Sequence, residues 1–146
     1  MTDKTYIPDA AQVPESQIGK SLEVLANTID VRRGAGEQSY TYRLLNGSLD
    51  TLLKKLTEEA GEVALAAKEA EMLDAYSEDE ALYDTTLDHV RYEAGDVVYH
   101  LLVLLARLSI SIDELAAEMN SRMSDDEIAV CEGMIRLQPQ HVNRGK

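Results

Sequence analysis

The sequence predicts a single all-α domain, arranged as a bundle of four to five helices. Three observations support this prediction. The chain has 146 residues, the usual length of one domain. Its apolar content of 45% is typical of a globular protein, and the absence of Trp and Phe favours helical packing over a β-sandwich. Long stretches of the chain also place apolar residues at helical spacing.

The N-terminal part is expected to contain an arm, one helix and a short segment. Residues 1–20 are polar and include two prolines, so they should form a flexible arm. Ser21 could cap a helix from Leu22 to about Arg33, which two glycines would end. Residues 39–45 then form a short segment before an Asn-Gly break.

The next helix is predicted to run from Leu49 to about Asp74, with Ser48 as its N-cap. Its apolar stripe consists of Leu49, Leu52, Leu56, Ala60, Val63 and Ala67. Glu59 lies at the edge of this stripe, where a charged side chain is expected to face a cleft rather than open water.

Residues 70–88 form an acidic segment within the predicted domain of residues 21–123. Its part from residue 75 onward is expected to be irregular, although the capping-box spacing of Ser77 and Glu80 also allows a short helix. The following long helix should begin near Thr86.

That helix should end at about Leu108, and a second capping box predicts another helix from Ser111 to about Met123. Residues 124–146 are interpreted as a C-terminal extension. It is expected to contain a short helix at 125–137 and to be disordered after Pro139.

Residues 97–106, VVYHLLVLLA, carry no charged side chain and are apolar on every side. Such a helix is expected to be buried in a bundle or at a subunit interface. The run is too short to span a bilayer and contains His100, so we predict no membrane association.

The net charge of −13 argues against a nucleic-acid binder, which needs a basic surface. The same charge opposes a polyphosphate substrate, unless carboxylates hold a cation that in turn holds the phosphates. The single Cys131 excludes an internal disulfide, and the first residues lack the apolar core of a signal peptide. A cytoplasmic location is therefore expected.

Two acidic motifs carry the functional prediction. The first is Glu58-Glu59-Ala-Gly-Glu62, and the second is Glu93-Ala-Gly-Asp96. On helices, Glu59 and Glu62 point to similar sides, as do Glu93 and Asp96. Two such pairs could form a cage of carboxylates for Mg²⁺, which prefers oxygen ligands. The alternative is an ordinary solvated acidic surface.

Several neighbouring residues have two interpretations each. Glu58 could act as the base that takes a proton from water, or it could be a plain surface residue. Lys54, Lys55 and Arg43 are candidate phosphate contacts, although Lys55 could equally form a salt bridge with Glu59. His100 could hydrogen-bond Asp96 and orient it, or it could be a satisfied core histidine.

The motifs resemble those of the all-α NTP pyrophosphatase superfamily with the MazG-like fold, and more specifically the phosphoribosyl-ATP pyrophosphatase family of histidine biosynthesis. The matching pieces are Ser39-Tyr40-Thr41, Leu53 to Val63, Ala66 to Lys68 and Tyr92 to Leu105. Gly61 and Gly95 depart from the pattern, since Thr and Ala are expected there. Relative to this family, the acidic segment 70–88 is an apparent insertion between the two motifs.

The resemblance implies hydrolysis of the α–β phosphate bond of phosphoribosyl-ATP, which yields phosphoribosyl-AMP and pyrophosphate. It implies Mg²⁺ as cofactor, with Mn²⁺ as an alternative, and a helical homodimer. The implied metal ligands are Glu59, Glu62, Glu93 and Asp96, with Glu58 assisting in catalysis.

Two other functions stay open. One is a housecleaning pyrophosphatase that acts on nucleoside triphosphates such as dUTP, dCTP or modified nucleotides. The other, of a different class, is a non-catalytic acidic helical module that binds a basic partner or Ca²⁺, although no EF-hand spacing supports the calcium version.

Overall fold

The computed structural model describes residues 17–129 and 133–141 of the chain. In this part of the chain there are only helices, and the prediction of an all-α bundle is confirmed. The α-helices are α1 (Gln17–Val31), α2 (Tyr40–Asn46), α3 (Leu49–Tyr76), α4 (Glu80–Arg107), α5 (Ile112–Asn120) and α6 (Asp125–Ala129). Short 3₁₀ turns lie at Arg32–Gly34 and Pro139–His141.

Helices α3 and α4 form a long hairpin that dominates the fold. Each has 28 residues, which corresponds to a length of about 42 Å. Only residues 77–79 connect them, so the helices run antiparallel and pack against each other along their length. This hairpin brings the two acidic motifs side by side.

The predicted insertion is helical rather than irregular. Helix α3 continues to Tyr76, and α4 begins at Glu80 instead of near Thr86. The Asp79 side chain caps α4 by accepting a hydrogen bond from the backbone N–H of Leu82. Because this cap lies seven residues before the predicted start, the acidic residues after it extend the hairpin instead of interrupting it.

Other predicted boundaries differ by smaller amounts. Helix α1 already begins at Gln17, so residues 17–20 do not belong to an arm, and residues 1–16 lie outside the described residues. The segment predicted at 39–45 is the capped helix α2. Within the predicted helix at 125–137, residues 125–129 form α6, residues 133–137 are not helical, and residues 130–132 lie outside the described part of the chain. The predicted disorder after Pro139 concerns residues that are mostly not described.

Two predicted caps are present. The Ser48 side chain accepts a hydrogen bond from the N–H of Asp50 at the start of α3. At α5, Ser111 and Glu114 form both hydrogen bonds of a capping box. These bonds lower the pKa of the Glu114 carboxyl below its ordinary value and satisfy N–H groups that the helix itself leaves unpaired.

The apolar core joins the first four helices at one end of the hairpin. Its buried members come from α1, α2, α3 and α4, and they are Ile29, Leu44, Leu45, Leu52, Leu102 and Val103. The side chain of Arg107 ties α4 to the turn after α2, because its guanidinium donates to the carbonyl oxygens of Leu44 and Gly47. The acidic motifs lie next to this fixed end.

The buried side of α3 differs from the predicted stripe. The buried residues are Leu52, Glu59, Ala66 and Ala70, whereas Ala60 and Ala67 are exposed. The prediction placed Glu59 at the edge of the stripe, on the assumption that apolar residues define the packed side. Glu59 instead lies on the buried line, which indicates that a polar site interrupts the interface between α3 and α4.

The apolar run 97–106 is not buried on all sides in the single chain. Only His100, Leu102 and Val103 are buried, and Val98 is exposed. Among the described residues, no single helix is long and apolar enough to cross a membrane, whereas α4 and α5 taken together, with a bend of 112° between them, meet that criterion of length and composition.

Candidate metal centre

Three carboxylates from the two acidic motifs meet between α3 and α4. Glu59 comes from α3, Glu93 and Asp96 come from α4, and each offers a ligand oxygen within 4.8 Å of the other two. Glu59 is 7% exposed and Glu93 is 5% exposed, while Asp96 is half-buried. We call Glu59, Glu93 and Asp96 the inner cluster.

The Glu93 carboxylate is only half satisfied. Its Oε1 lies 2.9 Å from Nε2 of His89, one turn earlier on α4. Its Oε2 is buried and has no hydrogen-bond partner among the described residues. Leaving a buried polar atom unpaired costs about 1–3 kcal/mol, and more when the group is charged. The inner cluster therefore concentrates negative charge that its protein neighbours only partly compensate.

Lys55 is the nearest lysine to the inner cluster. Its Nζ lies 3.7 Å from an oxygen of Glu59 and 3.3 Å from an oxygen of Glu58, one turn further along α3. The hydrogen bond and the charge of Glu58 raise the pKa of Lys55 above its ordinary value, with a smaller contribution from Glu59. Lys55 thus remains charged, and the predicted salt-bridge alternative is realised.

His100 is buried and both of its ring nitrogens have partners, so the structure contains the predicted alternative of a satisfied core histidine, whose contact with Asp96 is to the backbone and not to the carboxylate. Its Nδ1 lies 2.8 Å from the backbone carbonyl of Asp96, and since a carbonyl can only accept, Nδ1 carries the proton. In the neutral ring, Nε2 then accepts a hydrogen bond from the hydroxyl of Tyr40 at 3.2 Å. His100 therefore fixes the α4 backbone at Asp96 and connects it to α2.

The hydroxyl of Tyr40 stays protonated over a wide pH range. Burial raises its pKa above the ordinary value; Lys55 opposes this shift, and the carboxylates of Glu59 and Asp96 reinforce it. Next to it, the hydroxyls of the buried Thr41 and of Tyr99 are 2.8 Å apart. The sequence analysis does not predict these contacts between α2 and α4. The partners lie about 60 positions apart, and no spacing rule relates residues at that distance.

Three other predicted site residues lie apart from the inner cluster. Lys54, Glu58 and Glu62, which we call the outer group, line an open depression on α3 together with Leu53, Thr57, Gly61 and Leu65. Glu62 is half-buried, whereas Lys54 and Glu58 are exposed. The structure therefore brings together three of the four predicted ligands, and Glu62 lies one turn beyond Glu59.

Arg43, predicted as a phosphate contact, is exposed on α2. Its guanidinium carbon lies 5.8 Å from the centre of the Tyr40 ring, a cation–π geometry. One of its nitrogens donates to the carbonyl of Glu37 at 2.7 Å. Arg43 is thus held beside the residue that links α2 to His100.

The inner cluster fits a hard divalent cation. It offers only carboxylate oxygens, which Mg²⁺ and Mn²⁺ accept, and no sulfur or imidazole ligand belongs to the group. The unpaired Oε2 of Glu93 is an oxygen whose burial a cation would compensate. Three carboxylates also leave coordination positions for phosphate oxygens, as expected for Mg²⁺ sites that bind nucleotides.

Comparison with known proteins gives a consistent result. The family model described as Phosphoribosyl-ATP pyrophosphohydrolase matches residues 22–123. Among curated proteins, the Phosphoribosyl-ATP pyrophosphatase of Rhodopirellula baltica is 39% identical over 111 residues, which cover 75% of this chain and 81% of the relative. That of Dechloromonas aromatica is 36% identical over 102 residues, which cover 69% of this chain and 81% of the relative.

The chain is also similar to a longer protein. The Histidine biosynthesis bifunctional protein HisIE of Thermus thermophilus is 35% identical over 121 residues, which cover 82% of this chain but 50% of that protein. No solved structure matches the chain.

Proposed function

Because the chain belongs to the phosphoribosyl-ATP pyrophosphohydrolase family, we propose that it hydrolyses phosphoribosyl-ATP to phosphoribosyl-AMP and pyrophosphate with a divalent cation at the inner cluster. The names of its relatives support this substrate. Two observations carry the cation site: Glu59, Glu93 and Asp96 offer ligand oxygens within 4.8 Å of one another, and Oε2 of Glu93 is buried without a partner among the described residues.

In this proposal, Glu59, Glu93 and Asp96 hold Mg²⁺, or Mn²⁺ in its place, and Glu62 supplies a fourth carboxylate from the rim. When bound, the cation supplies the positive charge that phosphoryl transfer needs at the phosphate oxygens. The inner cluster thereby lets a chain of net charge −13 accept a substrate that is itself an anion.

Glu58 is proposed as the base. It is exposed, adjacent in sequence to Glu59, and its side chain is 44% exposed beside Lys55. From this position the carboxylate can take a proton from a water molecule that attacks a phosphorus atom of the α–β anhydride; the bridging P–O bond then breaks and pyrophosphate leaves. Lys55 holds this carboxylate through the ion pair at 3.3 Å.

The three basic residues are proposed to bind phosphate oxygens. Lys55 keeps its charge next to the inner cluster, Lys54 lines the depression on the outer side of α3, and Arg43 is held at the end of α2. Because they lie on two helices, α2 and α3, they would suit different phosphate groups of one extended substrate.

The proposal includes a homodimer. Within the described residues, the outer sides of α3 and α4 expose large apolar side chains such as Leu65, at 73% exposure, and Tyr92, at 68%. Gly61 and Gly95 lie on the same helices, and a Cβ atom at either would meet nothing within 4 Å. Glycines on open helix faces permit a close approach by another helix, here one from a second copy.

The oligomeric state is tested by sedimentation of the full chain at micromolar concentration. The proposal predicts a dimer, and Leu65→Glu should shift it towards monomer because a charge would be buried at the interface. The same substitution at Met72, near the hairpin tip and 55% exposed, is the control. A monomeric native chain would contradict the dimer without affecting the cation site.

The reaction is tested with a substrate panel. Purified protein should release pyrophosphate from phosphoribosyl-ATP in the presence of Mg²⁺, with a kcat/KM well above that for ATP, dUTP or dCTP. A preference for dUTP or dCTP would favour the housecleaning activity. Absence of pyrophosphate from every substrate would favour the non-catalytic module.

A further inference from the structure

His89 has no role in the reaction described so far, yet it touches the inner cluster. Its Nε2 is 2.9 Å from Oε1 of Glu93, and the histidine side chain is 53% exposed while that of Glu93 is 7% exposed. A carboxylate oxygen can only accept, so Nε2 of His89 is the donor. Among the described residues, His89 is the one hydrogen-bond partner of the Glu93 carboxylate.

We propose that His89 is a positioning residue, which holds Oε1 of Glu93 so that Oε2 remains free for the cation. This inference rests on the proposed cation site. A glutamate has several rotamers that would carry its carboxylate away from Asp96 or into solvent. The hydrogen bond from His89 selects a buried rotamer and leaves one oxygen without a protein partner.

The placement of His89 on α4 suits this task. It precedes Glu93 by one turn, so the two side chains lie on the same side of the helix, while its exposed part keeps the ring in contact with water. His89 does not belong to the group of ligand atoms within 4.8 Å of one another. It therefore orients a ligand instead of binding the cation, as partners of metal-binding carboxylates commonly do.

The experiment measures cation binding without any substrate. Mn²⁺ is titrated into the full chain, and free Mn²⁺ is followed by electron paramagnetic resonance at fixed pH. The variants are His89→Ala, which removes the donor, and His89→Gln, whose side-chain amide carries an N–H at a similar reach. Arg91→Ala is the matched control, because Arg91 is 55% exposed on the same helix and pairs only with Asp88 among the described contacts.

We expect His89→Ala to raise the Kd for Mn²⁺ by about 10-fold, within the range known for partners of metal ligands. His89→Gln should recover most of the affinity, and Arg91→Ala should not weaken binding. Thermal unfolding without metal shows whether each variant is folded. Native affinity in His89→Ala would overturn the proposal, and so would equal loss in both histidine variants, which would make the imidazole itself a ligand.

A further variant separates this inference from the cation site. Glu93→Gln keeps the shape of the side chain but removes the charge that a cation needs. If Glu93→Gln binds Mn²⁺ like the native chain, the cation site itself is wrong. If Glu93→Gln loses binding but His89→Ala does not, only the positioning role of His89 is wrong.

Discussion

The carboxylates of the inner cluster and those of the outer group are chemically alike but lie in different surroundings. Glu59 and Glu93 are less than 10% exposed and converge with Asp96. Glu58 and Glu62 come from the same motif as Glu59, yet they line an open depression. The spacing of these carboxylates in the sequence does not show which of them are close together. The rotation of α3 against α4 determines which carboxylates meet.

This difference has an energetic meaning. An exposed carboxylate is solvated and contributes little, while a buried one without a partner is costly. The protein therefore pays for the inner cluster in stability, and a bound cation would offset that cost. In the single chain, the outer group carries no such cost, because its carboxylates are in contact with solvent.

Removing a charge from the inner cluster should have the largest effect. Asp96→Asn is expected to lower pyrophosphate release by more than about 100-fold. Loss of a metal ligand should reduce activity more than loss of a residue that only orients a ligand. Without divalent cations its melting temperature should rise, since three crowded carboxylates repel one another. Turnover at limiting Mg²⁺ and thermal unfolding check the two parts.

Asp88→Asn is the matched control for this change. It makes the same substitution on the same helix, where the Asp88 side chain is 51% exposed and pairs with Arg91. The control should keep native turnover. Similar losses of turnover in both variants would mean that a carboxylate of the inner cluster matters no more than an exposed one on the same helix.

A smaller effect is expected in the outer group. Glu62→Gln should lower turnover by about 10-fold or less and should recover at high Mg²⁺, because Glu62 reaches the cation from the rim while three ligands remain. The Mg²⁺ dependence of turnover measures this. A loss as large as that of Asp96→Asn, without recovery, would place Glu62 among the inner ligands and erase the distinction.

The smallest effect is expected at the tip of the hairpin. Deleting residues 73–76 together with 80–83 removes one turn from each helix and keeps the connection at 77–79. The deleted turns begin about 15 Å along the helices from Glu62 and Glu93. We expect a somewhat lower melting temperature and turnover within about twofold of the native chain.

Turnover and circular dichroism of the shortened chain check this expectation. A folded protein with strongly reduced activity would show that the tip contributes to the substrate site. In that case the substrate site would not be confined to the end of the hairpin that carries the acidic motifs.

Much of the fold was predictable from local signals. Helical spacing predicted the all-α class, and the side chains of Ser48 and Ser111 marked two helix starts that the structure contains. The start of α4 was missed because Asp79, which caps it, lies among acidic residues that resemble a loop. Local propensity does not distinguish an exposed acidic helix from an irregular segment.

The site was predictable only in part. The i,i+3 spacing paired Glu59 with Glu62 and Glu93 with Asp96, and the structure brings Glu59, Glu93 and Asp96 together. The separation of Glu62 depends on the rotation of α3, which tertiary packing sets. The link between Tyr40 and His100 joins residues 60 positions apart, and no rule of periodicity relates such residues.

The most direct test of the cation site is a crystal structure of the full chain with Mn²⁺, using the anomalous signal of the metal. We expect an anomalous peak within about 2.5 Å of carboxylate oxygens of Glu59, Glu93 and Asp96, with the Glu62 side chain turned towards the peak. A peak confined to the depression beside Glu58, or no peak between α3 and α4 at saturating Mn²⁺, would contradict it.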